Sequence, residues 1–289
     1  MMPLYLLALL AAALCIGSPT EAAKIERVNP SCFLHFECNM DDDGAILISG
    51  EITPGDYLQF QKSIANGKYI PSKVILRSPG GDVNEALQIG RLVRELYIET
   101  EAPFHADNRA GCLEHPDLKP QMRRPTECVC ASACFFIYVA GVPRNDAYVG
   151  IHRFYLNPEV NTNLSLQESI IWTRAIREPV VRYLQEMGVP SKYVDIMFAT
   201  SSREIYGPTK KEITADLLGY PPEIMEWFMA RCNTTSERQF AKKGLLDKII
   251  EIGGGRSVCI SDAMRQDRIE RYRRFRAQFD PLRNSSPVQ

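Results

Sequence analysis

A serine, a histidine and a pair of glycines stand in an order that suits acyl transfer. Ser132 opens the apolar run "SACFFIYVAG", and His152 closes the next apolar segment, "AYVGIH". Gly80 and Gly81 lie upstream, between an apolar stretch and an amphipathic one. A serine hydroxyl barely ionises at neutral pH, so it attacks a carbonyl only when a neighbouring imidazole accepts its proton. Glycines free backbone amides, which can stabilise the negative charge that grows on the attacked oxygen. These residues predict an acyl-transfer site, provided that the fold brings them together.

Each of these residues also has a purely structural interpretation. A serine at the start of a helix is most often an N-cap, whose side chain accepts a backbone hydrogen bond. A glycine pair after a strand is most often a turn, and a histidine at the end of an apolar strand is often a hydrogen-bonded core residue. Cys134 is a second candidate nucleophile, although its position inside an apolar helix favours packing. The chemical interpretation therefore depends on the elements that carry these residues.

The elements around the candidate residues alternate between strand and helix. The stretch "AILISGEI" has the β-branched content of a strand, and "TPGDYLQFQKSIANG" indicates a turn and a helix that stops at Gly67. "KVILRS" predicts a second buried strand, and "DVNEALQIGRLVREL" after the glycine pair predicts an amphipathic helix. This alternation, with short links, predicts an α/β fold with a mainly parallel sheet covered by helices.

Later segments add to this pattern. Residues 103–127 break the alternation with proline and charged residues, which predicts an inserted surface loop. A long helix, a shorter helix and a strand–turn–helix unit follow His152 and end near Gly219. Residues 251–289 are predicted to form a charged helical tail, for which a solvated face is the default interpretation and binding to an acidic partner the alternative.

The N-terminus and the cysteines predict an exported protein, either periplasmic or secreted. Residues 1–23 combine a short apolar run with small residues before a cleavage site, as a secretory signal peptide does. Nine cysteines less Cys15 leave eight, an even number that suggests disulfides in an oxidising compartment. Two of them form an N-terminal cysteine loop within residues 24–44. Cys112 is expected to pair with Cys128 or Cys130 and so to pin the inserted loop.

Composition argues against several classes of function. The 289 residues carry a formal net charge of −1, which gives no field that would recruit nucleic acid or an anionic membrane. After the signal, no segment of the sequence has the length and apolar character of a transmembrane helix. "CVC" lacks the spacing of a zinc site, and His35, His105 and His115 form no ligand pair, so we expect no metal. Acyl transfer by serine and histidine requires no cofactor.

The segments "SPGGDV", "ASA" before the apolar helix, and "VGIH" on the next strand resemble, in order and spacing, the Clp-type serine peptidases, which share a superfamily with the crotonases. "GEI" at Gly50–Ile52 is similar to that family's first strand and turn, and Thr209–Gly219 to its late turn and helix. The resemblance covers about residues 45–250 and is closest to the exported Clp-like proteins of bacteria. It implies a repeated β-β-α spiral with a mainly parallel sheet, followed by a helical C-terminal extension, and it makes a homo-oligomer plausible.

The resemblance also assigns roles to residues. Ser132 matches the nucleophile and His152 the general base. The backbone amides of Gly81 and Ala133 match the oxyanion hole, and Gly80 belongs to the adjoining substrate-binding segment. These roles imply a serine endopeptidase whose substrate is a polypeptide.

The third member of the catalytic group is less clear from the sequence. The family's aspartate would fall among residues 200–202, "TSS", which contain no carboxylate. Asp195 is the preferred substitute, and Glu204 is the alternative. An acid in this role orients the imidazole and stabilises its cation, so its loss would slow the reaction greatly.

Three functions therefore compete. The preferred one is an exported serine hydrolase, and the joint presence of Ser132, His152 and the glycine pair favours it. A catalytically weak or inactive Clp-like peptide-binding module is the alternative, which the missing aspartate favours. A crotonase-like acyl-CoA enzyme is third, since coenzyme A is not expected outside the cytoplasm. An ATP-driven unfoldase, usual for cytoplasmic relatives, is not an expected partner of an exported protein.

Overall fold

The computed structural model describes residues 23–28, 44–67, 70–103, 129–145, 148–154, 166–202, 204–232 and 246–284. Three predictions lie largely or wholly outside these residues. They are the signal peptide, of which only Ala23 is described, the N-terminal cysteine loop, and the inserted loop with Cys112 and Cys128.

Strands and helices alternate through most of the described chain. The strands are β1 (Lys24–Val28), β2 (Ala45–Ser49), β3 (Lys73–Arg77), β4 (Glu99–Glu101), β5 (Cys130–Ala131), β6 (Arg144–Asn145) and β7 (Val149–Gly150). The helices are α1 (Asp56–Asn66), α2 (Val83–Glu95), α3 (Ala133–Val139), α4 (Leu166–Glu186), α5 (Lys192–Ala199), α6 (Lys210–Glu212, continued by a π-helical turn at Ile213–Leu217), α7 (Pro222–Arg231) and α8 (Leu246–Asn284).

The main sheet has five strands in the order β1-β2-β3-β4-β6. β1 is antiparallel to β2, and every other neighbouring pair is parallel. Ile46 and Ile48 on β2, and Val74 and Leu76 on β3, are fully buried. Aliphatic residues of this kind suit strands that are covered on their faces by helices. The predicted α/β fold with a mainly parallel sheet is confirmed.

A second, smaller layer of extended chain is formed by segments that follow the main-sheet strands. β5 pairs with β7 in parallel, as a separate two-stranded sheet. Single bridges extend this layer on both sides, at Ile52–Gly81, Ser78–Cys130 and Ile151–Tyr206. Each of β2 and β3 thus runs on into the second layer before its helix begins. The result is a recurring unit of main-sheet strand, second-layer segment and helix.

The helices that follow the second layer are set by local signals and by the core. The Asp82 side chain accepts a hydrogen bond from the Glu85 amide and so caps the start of α2. α3 is buried along its whole length, which explains the unbroken apolar run in the sequence. Two buried hydroxyls, of Thr100 and Tyr183, donate to carbonyls of α3. α3 is therefore fixed in the centre of the fold, and the residue before it is fixed as well.

The charged C-terminal helix α8 packs on the body of the protein. Arg268 donates to the Pro71 carbonyl, Arg271 to that of Glu95, and Arg276 to that of Ala65. Two of these carbonyls belong to the last turns of α1 and α2, where no intrahelical partner exists. Phe275 and Phe279 are buried against the core. The default interpretation of this segment as a solvated face is therefore wrong for these three arginines, because their guanidinium groups donate to carbonyls elsewhere in the chain.

None of the helices that the structure describes combines the length and the apolar character that a membrane crossing requires.

Candidate active site around Ser132

Ser132 occupies a strained turn between a strand and a helix. It follows β5, precedes α3, and has φ 55° and ψ −123°. A residue other than glycine in such a conformation costs about 1–3 kcal/mol and persists only where the surroundings enforce it. The same strand–serine–helix geometry exposes the nucleophile in unrelated hydrolases. The backbone geometry of Ser132 is therefore compatible with the role of a nucleophile.

The hydroxyl of Ser132 does not cap the helix. Ser132 stands at the N-cap position of α3, but its side chain accepts no hydrogen bond from the first turn. The side chain also makes no hydrogen bond to any other residue in the described part of the chain, His152 included. The purely structural interpretation as an N-cap is thus excluded, and the hydroxyl is left available for a ligand.

Gly80, the first of the two glycines, lies directly against Ser132. A Cβ atom built on Gly80 would lie 2.5 Å from the Cβ of Ser132 and 2.8 Å from the Ala131 carbonyl oxygen. Gly80 has φ +109°, a backbone angle that residues other than glycine rarely adopt. Its amide donates to the Ser78 hydroxyl at 3.1 Å, and its carbonyl accepts from the Ile52 amide at 2.7 Å. Gly80 is needed here because any side chain would displace the serine.

Two backbone amides beside Ser132 are free to bind an oxyanion. The Ala133 amide is the first of α3, and the first amides of a helix have no partner within it. Gly81 lies next to Gly80 with φ +133°, held by the bridge to Ile52. Among the described residues, neither amide donates a hydrogen bond. Unpaired amides at this position are what an oxyanion hole requires.

The register of β5 and β7 places the segment that carries His152 alongside the segment that carries Ser132. Ala131 is opposite Gly150 in the β5–β7 ladder, so His152 is one residue beyond the position opposite Ser132. The Ser132 amide donates to the Gly150 carbonyl at 2.9 Å, which ties the two segments together at this point. The side chain of His152 is 8% exposed.

The orientation of the His152 ring is set by a main-chain carbonyl. Nδ1 lies 2.8 Å from the carbonyl oxygen of Arg153. A carbonyl can only accept, so this contact favours a proton on Nδ1, and in the neutral tautomer of this kind Nε2 carries the lone pair. The Arg153 amide donates in turn to the Thr200 carbonyl at 3.2 Å. Sequence reasoning did not find this contact, because a main-chain acceptor has no residue signature.

The two candidate acids do not contact the histidine. Asp195 is exposed on α5, and Glu204 is exposed in the turn after it. Neither carboxylate makes a hydrogen bond or ion pair with His152 in the structure. Residues 200–202 lie beside the segment of His152, because the Arg153 amide donates to the Thr200 carbonyl, but they contain no carboxylate.

Two disulfides are present in the described residues. Cys130 is bonded to Cys134, and Cys232 to Cys259. The first bond excludes Cys134 as a nucleophile, since it has no free thiol. It also takes Cys130 out of the proposed pairing with the inserted loop, and the remaining pairing, Cys112 with Cys128, lies outside the described residues.

The described part of the chain contains no group of three or more histidine, cysteine or acidic residues that could hold a metal ion.

Comparison with protein-family models, with curated proteins and with solved structures finds no match for this chain. Any functional conclusion rests on the geometry around Ser132.

Proposed function

We propose that this protein is a serine hydrolase that cleaves polypeptides, with Ser132 as nucleophile and His152 as general base. The observation that carries the proposal is the strained backbone of Ser132, held against Gly80 with its hydroxyl unused. A serine that served only packing or capping would have no reason to remain at φ 55°. A catalytic role gives a physical reason for this backbone strain, because it fixes the position of the hydroxyl.

The reaction follows from the positions of these groups. Ser132 Oγ bonds to the carbonyl carbon of the substrate, its proton passes to Nε2 of His152, and the carbonyl electron pair moves to the oxygen. The amides of Gly81 and Ala133 stabilise that oxyanion, and one such donor contributes about 10²- to 10³-fold in rate. The C–N bond then breaks, and His152 gives its proton to the departing amine. Water attacks the acyl-enzyme ester in the same way, releases the acid and restores Ser132.

The contact between His152 and the Arg153 carbonyl is one that can orient the ring for catalysis. A carbonyl fixes the tautomer and the ring orientation, as the acid of a triad does. It lacks a full negative charge, however, so it stabilises the imidazolium less. We propose that Ser132, His152 and the Arg153 carbonyl act together, and that Asp195 and Glu204 are not required.

The recurring unit of strand, second-layer segment and helix supports placing the chain with the Clp-type peptidases and crotonases. In that arrangement the serine and the oxyanion amides come from successive units, as Gly81 and Ser132 do here. The two disulfides support an oxidising, extracytoplasmic compartment. Exported or misfolded polypeptides are the proposed substrates.

Turnover of a fluorescently labelled unfolded protein, such as casein, tests the proposal. Ser132→Ala and His152→Ala are expected to reduce cleavage to the same background, because nucleophile and base act as a unit. Ser191→Ala is the matched control, since Ser191 also stands at a helix N-cap without a capping hydrogen bond, yet is exposed on another element. Binding of casein without cleavage by the wild-type protein would favour the peptide-binding module instead.

A further inference from the structure

The Cys130–Cys134 disulfide spans the nucleophile. Cys130 is the first residue of β5, and Cys134 is the second residue of α3, so the bond joins the two elements on either side of Ser132. Both cysteines are fully buried. The turn between them contains the only described residue other than Tyr97 and the glycines with positive φ. The bond thus closes a short ring around the strained residue.

Hydrogen bonds hold each side of this turn separately. On the strand side, the Ala131 amide donates to the Ser78 carbonyl and the Ser132 amide to the Gly150 carbonyl. On the helix side, the Phe135 amide donates to the Ser132 carbonyl at 3.1 Å. The disulfide adds a second covalent link between the two sides, besides the main chain through Ser132. It is well placed to prevent the turn from opening toward an ordinary serine conformation.

The short ring gives this bond little value for overall stability. The chain-entropy contribution of a disulfide grows with the logarithm of the number of residues that it encloses. Cys130 and Cys134 are 4 residues apart, whereas Cys232 and Cys259 are 27 apart. The longer link, between α7 and α8, is therefore expected to contribute more to the free energy of unfolding. The shorter one constrains local backbone.

We propose that Cys130 and Cys134 are positioning residues, whose disulfide holds Ser132 in its reactive backbone conformation. This inference rests on the proposed function of Ser132 as a nucleophile. The disulfide takes no part in the chemistry itself, because both sulfurs are buried and bonded to each other. It acts on the direction in which the Ser132 hydroxyl is presented to the substrate and to His152.

The two disulfides provide matched variants for a test. Cys130→Ala/Cys134→Ala and Cys232→Ala/Cys259→Ala are compared by the rate of labelling with a fluorophosphonate and by the melting temperature. We expect the first variant to label at least about tenfold more slowly, equivalent to about 1.4 kcal/mol in the barrier, with the smaller drop in melting temperature. We expect the second to show the larger drop in melting temperature and an unchanged labelling rate. Equal labelling rates in both variants would overturn the proposal.

A second measurement does not depend on activity. Ser132→Gly relieves the strain at φ 55°, so it should raise the melting temperature of the protein with the disulfide intact. In the Cys130→Ala/Cys134→Ala background the turn can relax by itself, and the gain from Ser132→Gly should be smaller. The same gain in melting temperature in both backgrounds would contradict the proposal that the disulfide holds the turn. If the wild-type protein does not label, the proposed function fails, while this measurement still decides whether the disulfide enforces the turn.

Loss of folding must be distinguished from loss of positioning. If the double alanine variant does not fold, the variant Cys130→Val with Cys134→Ala is used in its place in both measurements. The valine restores part of the buried volume that the two alanines remove. If this variant does not fold either, the disulfide serves folding rather than positioning, and the proposal is overturned.

Discussion

Gly80→Ala is the substitution that most directly tests the contact between the glycine pair and Ser132. The new Cβ would lie 2.5 Å from the Ser132 Cβ, 2.8 Å from the Ala131 carbonyl oxygen and 2.9 Å from the Ala133 amide nitrogen. Ordinary contacts of this kind are about 3.5–4 Å. Gly80 or Ser132 must therefore move by about 1 Å, and two of the three neighbours are main-chain atoms that cannot rotate away.

The expected cost has two parts. An alanine at φ +109° is strained by about 1–3 kcal/mol, and overpacking against fixed atoms adds about 1–3 kcal/mol. A displacement of 1 Å at a nucleophile lowers the rate by about 10²-fold. We therefore expect Gly80→Ala to lower the free energy of unfolding by about 2–6 kcal/mol, measured by urea denaturation. We expect fluorophosphonate labelling of the folded fraction to be about 10²-fold slower.

Gly55→Ala is the matched control. Gly55 has φ +100°, but a Cβ there would meet nothing within 4 Å. It should show the backbone strain without the collision, and its labelling rate should equal that of the wild type. If Gly80→Ala labels as fast as Gly55→Ala, then Gly80 does not constrain Ser132 and the geometric argument is wrong.

Three further outcomes follow from the described contacts. Asp195→Asn and Glu204→Gln should each leave the labelling rate unchanged, because neither carboxylate touches His152; a large loss in either variant would show that an acid orients the imidazole. The hydroxyl and amide of Thr209 hold the pKa of Glu212 down at about 2, so stability that is present above about pH 4.5 should be lost as the pH falls toward 2. Urea denaturation across this range should show a flatter pH dependence for Glu212→Gln, and an unchanged profile would refute the assignment. Arg276→Ala should cost about 1.5–3 kcal/mol of unfolding free energy through its lost bond to the Ala65 carbonyl, whereas the exposed Arg273→Ala should cost about 0.5 kcal/mol or less; equal costs would mean that α8 does not cap α1.

The sequence predicts two neighbouring strands of the main sheet, β2 and β3, and the approach of Gly80 to Ser132. β2, β3, α1 and α2 all follow from hydrophobic periodicity, because each buries one face or both in the core. The long helix α4 and the capping box at Thr209 are similarly local signals. Residues about 50 positions apart meet because parallel strands bring their carboxyl ends to one edge.

The details of the site could not be predicted in the same way. The Cys130–Cys134 bond joins Cα atoms that lie 5.2 Å apart on either side of the turn at Ser132, and the sequence does not indicate this turn. The partner of His152 Nδ1 is a main-chain carbonyl, so no side chain in the sequence indicates it. The arginines of α8 look like a solvated charge run, since their carbonyl partners are about 175–210 residues away. In each case the deciding contact depends on tertiary structure rather than on a local pattern.

The site of fluorophosphonate modification tests the central claim most directly. The wild-type protein is treated with the probe, digested and mapped by mass spectrometry, with Ser132→Ala treated in parallel. The account predicts one stoichiometric adduct on Ser132 and none on the variant. An adduct on another residue, or equal labelling of wild type and Ser132→Ala, would contradict it.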